Sequence, residues 1–402
     1  MPTGLDSPVV ITSDVARQID LLGDELIEIR RDIHAHPELS WTEERTTALV
    51  AKRLDEAGLV PVFLPRGGCY VDVGANDGPL VALRADLDAL PIQEQSTDPW
   101  RSTIDGVAHA CGHDVHTTSL LGVGLALAEM ADRLPGRVRL LFQPAEEIMP
   151  GGALMAIDAG VLDGVDSIFM LHCDPGLDVG EVGLRQGALT GAADSIDVRL
   201  TGRGGHTSRP HLTEDLTFAL GKLLTELPAV LSRRLDPRAG VSVVWGVISA
   251  GAAVNVIPSL GRAAGTVRML DILAWADAEA LVRETVQQIV EPYGVDAEVS
   301  YVRGVPPVVN EPRSTMVLGR AVTEILGEDG LVATAQSLGG EDFAWYLDRV
   351  PGAMGRLGTR TPGGPTYDLH QGDLCVDERA IAVGAKVLAA AAIGAMQASR
   401  GR

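Results

Sequence analysis

Three imidazoles, a thiol and a carboxylate crowd into His109-Ala-Cys-Gly-His-Asp-Val-His116, just ahead of an apolar stretch with helical spacing. Soft sulfur beside borderline nitrogen at that density points to a transition-metal site. A second piece lies downstream, where the strand-like run Val138-Arg-Leu-Leu-Phe142 breaks at Gln143-Pro-Ala145 and presents Glu146 and Glu147 side by side. In such a pair one carboxylate can hold metal while the other moves protons. Two acids at a strand end are, on their own, more often a solvated turn. The histidine and cysteine cluster shifts the balance toward chemistry.

The elements that would carry these residues alternate. Apolar residues recur at helical spacing from Val15 to Ile33 and from Thr42 to Leu54, and Leu80–Ala85 reads as a buried strand. A helix is expected from about Val115 to Leu134, then a strand over Arg137–Phe142, a short helix at Met155–Ala159, and a strand over Ser167–Leu171. That order predicts an α/β domain with a mixed, mostly parallel sheet covered by helices. In such sheets ligands bind beyond the carboxyl ends of the strands. Asp86 and Asp88, Glu146 and Glu147, and His172 each follow a predicted strand, so three connections deliver polar groups to one edge. Between Thr190 and Gly304 the pattern changes to β-α-β-β-α-β, the order of a ferredoxin-like α+β domain, after which the first style resumes. The predicted division is therefore catalytic domain over residues 1–188 and 305–402, with an inserted domain over 189–304. A small open sheet of that kind can pair with a copy of itself, so a homodimer through the inserted domain is expected.

Composition narrows the partners. At 402 residues two domains are expected, and 33 Lys and Arg against 54 Asp and Glu give a formal charge of -21. That balance argues against nucleic acid and anionic membrane, so an anionic small molecule would need a locally placed Arg or His. The stretch from Met1 to Asp20 lacks a signal-peptide pattern, and the Ala-rich run Val387–Met396, bounded by Lys386, reads as too short for a bilayer span. Four scattered cysteines without a Cys-x-x-Cys pair suit a reducing, cytoplasmic setting.

Nearly end to end, the chain resembles the amidohydrolase branch of the aminoacylase and carboxypeptidase metallopeptidases, the branch of hippurate hydrolases, N-acyl-amino-acid amidohydrolases and auxin-conjugate hydrolases. The resemblance is carried by Arg31-Asp-Ile-His-Ala-His-Pro-Glu-Leu39, Arg84-Ala-Asp-Leu-Asp-Ala-Leu-Pro91, Cys111-Gly-His-Asp-Val-His116, Gln143-Pro-Ala-Glu-Glu147, Gly204-Gly-His206, Asn255-Val-Ile-Pro258, Gly265-Thr-Val-Arg268, Gly340-Glu-Asp-Phe343 and Leu369-His370. Two departures stand out: Ile148-Met149-Pro150 replace a glycine-rich stretch after the glutamate pair, and Leu374 stands where an aromatic residue often follows the last histidine.

The resemblance implies a zinc-peptidase-like catalytic domain holding two divalent ions, zinc or manganese first and cobalt or nickel as alternatives. It implies Cys111, His113, Glu147, His172 and His370 as ligands and Glu146 as general base. It also implies that His206 donates to the developing oxyanion of a neighbouring subunit's site, and that Asn255 and Arg268 anchor a substrate carboxylate. The expected reaction is hydrolysis of an N-acyl amino acid, or a similar small amide bearing a carboxylate, to a carboxylic acid and an amino acid. A dipeptidase or carboxypeptidase on the same scaffold is the alternative.

Other residues have blander readings. His34, His36, His109 and His116 read as structural, and Asp86, Asp88 and Asp114 as groups that orient metal histidines rather than bind metal. Cys173 reads as packing, and Glu341 as a helix cap or a residue near the pocket. Gly122-Val-Gly124 hints at a nucleotide-dependent oxidoreductase but lacks the third glycine and the preceding strand. A purely structural metal module would have no need of Glu146.

Overall fold

The computed structural model describes residues 8–74 and 78–400. The chain divides into two compact units, one of Met1–Gly187, Val309–Ala335 and Trp345–Arg402, the other of Ala188–Val308 and Gln336–Ala344.

The first unit is built on an eight-stranded sheet. In chain order its early elements are helices α1 (Pro8–Leu21), α2 (Gly23–Ala35) and α3 (Glu44–Glu56), then strands β1 (Val62–Phe63), β2 (Cys69–Gly74) and β3 (Leu80–Asp86). Helix α4 (His113–Ala128) and strands β4 (Arg137–Gln143) and β5 (Val165–Asp178) follow. Across the sheet the order is β1, β2, β4, β3, β5, then Gly352–Arg360, Val182–Leu184 and Leu331–Ala333. Strand β3 runs parallel to both β4 and β5, and β5 runs parallel to Gly352–Arg360. Every residue of β3 is buried, as expected for a central strand covered on both faces.

Register sets the level of the functional ends. Asp86 pairs with Gln143, and three residues beyond the Leu83–Phe169 pair the neighbouring strands reach Asp86 and His172. His172 does not follow a strand, however. Its strand continues to Asp178 because Gly352–Arg360 offers pairing partners past Leu171, with His172 opposite Arg356. Helix α4 begins at His113 rather than Val115, so the second half of the histidine cluster is helical.

All residues of α4 from His113 to Leu127 are buried. A Cβ at Gly122 would press on Leu26, and one at Gly124 on Leu140 and Leu54. These two glycines let helix and sheet approach closely, and Gly122-Val-Gly124 lies within that helix, not in a phosphate-binding turn. The Ala-rich tail belongs to a 22-residue helix, Arg379–Arg400, longer than the run predicted from its apolar centre. By length and composition Arg379–Ser399 could cross a membrane, but 72% of its most apolar window is buried. Ala385, Leu388, Ile393 and Met396 join Ile11, Val15 and Ile19 in the main core.

The second unit carries four antiparallel strands, Ala192–Thr201, Ser242–Ala250, Leu260–Met269 and Asp296–Val305, with helices Leu216–Arg234 and Ile272–Val290. Asp215 and Asp271 cap those helices by accepting the Phe218 and Ala274 N–H groups. Residues 336–344, placed by sequence in the catalytic domain, fall in this unit. Ser337 and Gly191 donate backbone N–H groups to Leu189 and Gly339, and the Arg268 guanidinium donates to the Leu338 carbonyl. Such pairings are invisible without the fold, since they join segments 70 to about 150 residues apart.

Candidate active site

Five side chains of the first unit meet at the strand ends. Donor atoms of Cys111, His113 and His172 lie within 4.8 Å of one another, and so do those of Cys111, Glu147 and His370. Cys111 belongs to both groups, which is the arrangement a bridging sulfur would need. Its Sγ is 3.6 Å from His172 Nε2. Glu147 Oε1 lies 3.7 Å from His113 Nε2 and 3.4 Å from His370 Nε2, while Glu146 Oε2 is 4.0 Å from His113 Nε2. His370 is held in the left-handed region at φ 62°, where its N–H donates to Ala110 O at 2.7 Å.

Two of the imidazoles are aimed by backbone carbonyls. His113 Nδ1 is 2.8 Å from Asp88 O, and His172 Nδ1 is 2.8 Å from Cys173 O. A carbonyl only accepts, so each Nδ1 carries a proton and Nε2 is the ring atom turned into the cluster, a lone-pair donor once a cation displaces any proton there. His113 Nε2 and Glu147 Oε1 are buried and have no hydrogen-bond partner. A cation would satisfy both atoms.

The field favours a cation too. Burial lowers the His113 pKa, but Asp86, Asp88 and Glu147 overcome that and raise it to about 10. Burial, with Glu147, Glu146 and Asp86, pushes the Cys111 thiol well above its ordinary range. Cys111 therefore becomes a thiolate only when positive charge arrives beside it. Burial alone would raise the Asp86 carboxyl, yet His113, His116 and Arg84 hold it well below the usual range. Arg84 is itself fully buried and donates to Asp86 Oδ2 at 2.6 Å and Gln143 Oε1 at 3.0 Å, tying the ends of β3 and β4 together.

The remaining histidines of the first unit are occupied or sequestered. His116 Nδ1 sits 2.6 Å from Asp86 Oδ1, and its Nε2 accepts the Cys173 N–H at 2.8 Å. His34 lies between Asp114 Oδ2 at 2.7 Å and Glu94 Oε1 at 3.1 Å. His36 Nδ1 lies 2.8 Å from Asp32 O. His109 is fully buried, which drives its pKa down to about 4 and keeps the ring neutral. Asp114 orients His34 and pairs with Arg30 at 2.7 Å. Cys173 packs against Gly112, where a Cβ would collide with its sulfur.

Carboxylates also hold the turn that carries the glutamate pair. Asp88 accepts the Glu146 N–H at 3.0 Å through Oδ1 and the Glu147 N–H at 2.9 Å through Oδ2, while Ser40 Oγ donates to the same Oδ2 at 2.6 Å. One residue earlier, Ala145 N–H donates to Glu43 Oε1 at 2.7 Å. Glu43 is 1% exposed, and burial together with Asp88 pushes its pKa up to about 7. Ser40 and Glu43 carry no sequence signal beyond lying in a polar connection before α3.

In the second unit, His206 ends the short strand Gly205–His206 and Asn255 sits in the turn just before its partner strand Val256–Ile257: Val256 pairs with His206, and the Asn255 carbonyl accepts the Thr207 N–H at 3.2 Å. Both are exposed. His206 Nδ1 faces Ser208 Oγ at 2.9 Å. Arg268 is half-buried on Leu260–Met269, and Glu341 Oε1 accepts the Phe343 N–H at 3.0 Å as a local cap.

Residues 82–393 match the Peptidase family M20/M25/M40. The chain is 50% identical over 367 residues to a Rhodococcus jostii protein bearing the name of a glutamate–cysteine ligase, covering 91% of this chain but 46% of that protein. It thus spans less than half the length of that relative. It is 38% identical to an N-acetyl-L-cysteine deacetylase of Bacillus subtilis over 366 residues, 90% of this chain and 86% of the relative. Among solved structures, a Bacillus subtilis dinuclear metal binding peptidase of the M20 family superposes with a TM-score of 0.82 at 34% identity, covering 94% of this chain and 99% of the other. A matched segment spanning most of the chain, and relatives similar over nearly all of it, show that the chain is a hydrolase of peptidase family M20/M25/M40.

Proposed function

We propose that this hydrolase cleaves the amide bond of N-acyl amino acids, releasing a carboxylic acid and an amino acid. The observation that carries the reading is the pair of donor groups sharing Cys111, with Glu146 beside them. Cys111, His113, Glu147, His172 and His370 would hold two divalent ions, zinc or manganese before cobalt or nickel, given one sulfur, three nitrogens and a carboxylate. Such ions, when bound, supply Lewis acidity at the amide carbonyl and make water acidic enough to lose a proton near neutral pH. Glu146 takes that proton and returns it to the departing amine, which must leave protonated. Asp86 and Asp88 stay outside the ligand set and fix the rings and the turn.

The inserted unit supplies the rest of the proposal. His206 donates to the oxyanion of a partner subunit's site, and Asn255 with Arg268 takes the substrate carboxylate, for which a planar guanidinium is suited. The protein works as a homodimer. Val244 and Ile248, 58% and 57% exposed on the outermost strand of the second sheet, give that unit an apolar edge that a second copy would cover. The domain division is close to the one drawn from sequence, with Ala188, residues 305–308 and residues 336–344 moved to the inserted unit. Four free cysteines, one of them required as a ligand, fit a reducing cytoplasmic setting.

Purified protein reconstituted with zinc or manganese and assayed on matched N-acetyl amino acids and dipeptides tests the reading. N-acetylcysteine is the first compound to try, since a relative carries that substrate in its name. Two ions per chain and preferential turnover of N-acetyl amino acids are expected. Equal or faster cleavage of dipeptides would replace the reading with the peptidase alternative.

A further inference from the structure

The turn bearing Glu146 is held in a conformation that its own sequence resists. Ala145 has φ 56°, in the left-handed region where a Cβ is disfavoured, and it is fully buried. Glycines crowd the turn on both sides. A Cβ at Gly68 would strike the Phe142 carbonyl and Pro144, one at Gly152 would strike the Pro144 carbonyl, and Gly152 N–H donates to Ala145 O at 2.8 Å. The Ala145 N–H is met from the other side by Glu43 Oε1 at 2.7 Å. Three successive N–H groups, from Ala145, Glu146 and Glu147, thus point into two buried carboxylates, Glu43 and Asp88.

Besides Ala145, the Glu43 carboxyl group is met by the backbone N–H groups of its own residue and of Trp41. Glu43 precedes α3, yet its side chain does not cap that helix, and its Oε2 is buried without a hydrogen-bond partner. Burying a carboxyl group this way is costly unless its bonds to the backbone matter. The loop around it is strained as well: Trp41 has φ 68°, and Ser40 Oγ reaches the same Asp88 that holds the glutamate pair.

We propose that Glu43 is a positioning residue for the reaction, holding Ala145 left-handed so that Glu146 is presented to the attacking water. The inference rests on the base role proposed for Glu146 and adds a residue that touches neither metal nor substrate. It acts through its hydrogen bond from the Ala145 N–H, so what matters is an acceptor at Oε1, not charge.

The test uses the metal-reconstituted enzyme and five variants. Glu43→Ala should lower kcat by about 10²-fold, the scale of a misplaced catalytic group, while KM and metal content stay within about twofold of wild type. Glu43→Gln keeps the acceptor and should retain at least about half of kcat. Adding Ala145→Gly to Glu43→Ala should recover several-fold in kcat, because glycine enters the left-handed region without help. In a Glu146→Ala background, Glu43→Ala should cost nothing further, since both act on one step. If Glu43→Ala fails to fold in a circular-dichroism melt, Glu43→Met, of similar length but without an acceptor, takes its place.

Several outcomes overturn the inference: a Glu43→Gln enzyme as slow as Glu43→Ala, a loss carried by KM or metal content, no recovery with glycine at 145, or an additive loss on top of Glu146→Ala. Near-wild-type turnover by Glu146→Ala alone is a different failure. It removes the base role first, and the positioning role with it.

Discussion

Compare the polar groups of the two units. At the strand ends of the first, almost every side chain is aimed by another: Asp88 binds two N–H groups and a hydroxyl, His116 is used at both nitrogens, and Arg84 spans Asp86 and Gln143. In the second, His206 stands exposed at the end of a two-residue strand, with Ser208 beside its ring, and Asn255 stands exposed in the turn before the strand that pairs with it. The groups of the first unit hold one another in place and leave two buried donor atoms, His113 Nε2 and Glu147 Oε1, without a hydrogen-bond partner. The second offers donors that gain a purpose only against a charged or polarised ligand. Substituting the first kind of residue should abolish chemistry or metal, whereas the second should show its worth in complementation and KM.

The largest effect is expected at Glu146. Glu146→Ala should leave folding and metal content near normal and lower kcat at least about 10³-fold, within the range general-base transfer contributes. His206→Ala homodimers should also be nearly inactive. Co-refolded with Glu146→Ala chains, they should regain a substantial fraction of activity, because one site of each mixed dimer is then wild type. Mixed dimers as inactive as both parents would confine His206 to its own subunit or remove it from the reaction.

Next comes Cys111→Ser, which trades the shared soft donor for a hydroxyl. Metal analysis should find fewer than two ions per chain and a preference moved toward manganese. Two zinc ions retained at wild-type affinity would mean that the sulfur is only a neighbour. A smaller change belongs to Arg268→Ala, where KM for an N-acetyl amino acid should rise about 10- to 100-fold with kcat less affected, the worth of a charge-assisted hydrogen bond. An unchanged KM would leave Arg268 as the strut to Leu338 that it forms within its own unit.

The smallest expected effect is on stability. Glu43 has a folded pKa of about 7 against an ordinary 4.5, so the folded protein binds its proton more tightly than the unfolded chain. The stability this provides is present below about pH 4.5 and is lost as pH rises through 7. Metal-free Glu43→Gln cannot lose that proton. Its melting temperature relative to wild type should therefore rise between pH 5 and pH 8, by a few degrees, with about 3 kcal/mol as the upper bound. A difference independent of pH would mean that Glu43 ionises normally.

What could be seen in the sequence follows from how local each signal is. Cys111, His113, Glu146 and Glu147 sit in runs of a few residues whose chemistry is apparent without a fold, and alternating elements sufficed for the α/β class and the ferredoxin-like order. His172 was placed after a strand because its apolar run stops at Leu171, whereas the strand persists through pairing with a segment about 180 residues away. Glu43 was missed for a similar reason. Its partner is 102 residues off, and the partner atom is a backbone N–H that leaves no mark on side-chain pattern. The left-handed residue there is alanine, so even the glycine that would advertise such a turn is absent.

The helix Arg379–Arg400 has a consequence for how the protein is made. Its apolar face completes the core begun by Ile11, Val15 and Ile19, and Lys386 pairs with Asp20, so the first and last helices of the catalytic unit need each other. On the ribosome, at about 5 to 20 residues per second, the amino-terminal helices and most of the sheet emerge well before the helix that covers them. The inserted unit, nearly all of it continuous from Ala188 to Val308, has no such wait. Most of the inserted unit can thus assemble from one continuous stretch, whereas the core of the first unit is complete only when the segments on both sides of that stretch meet.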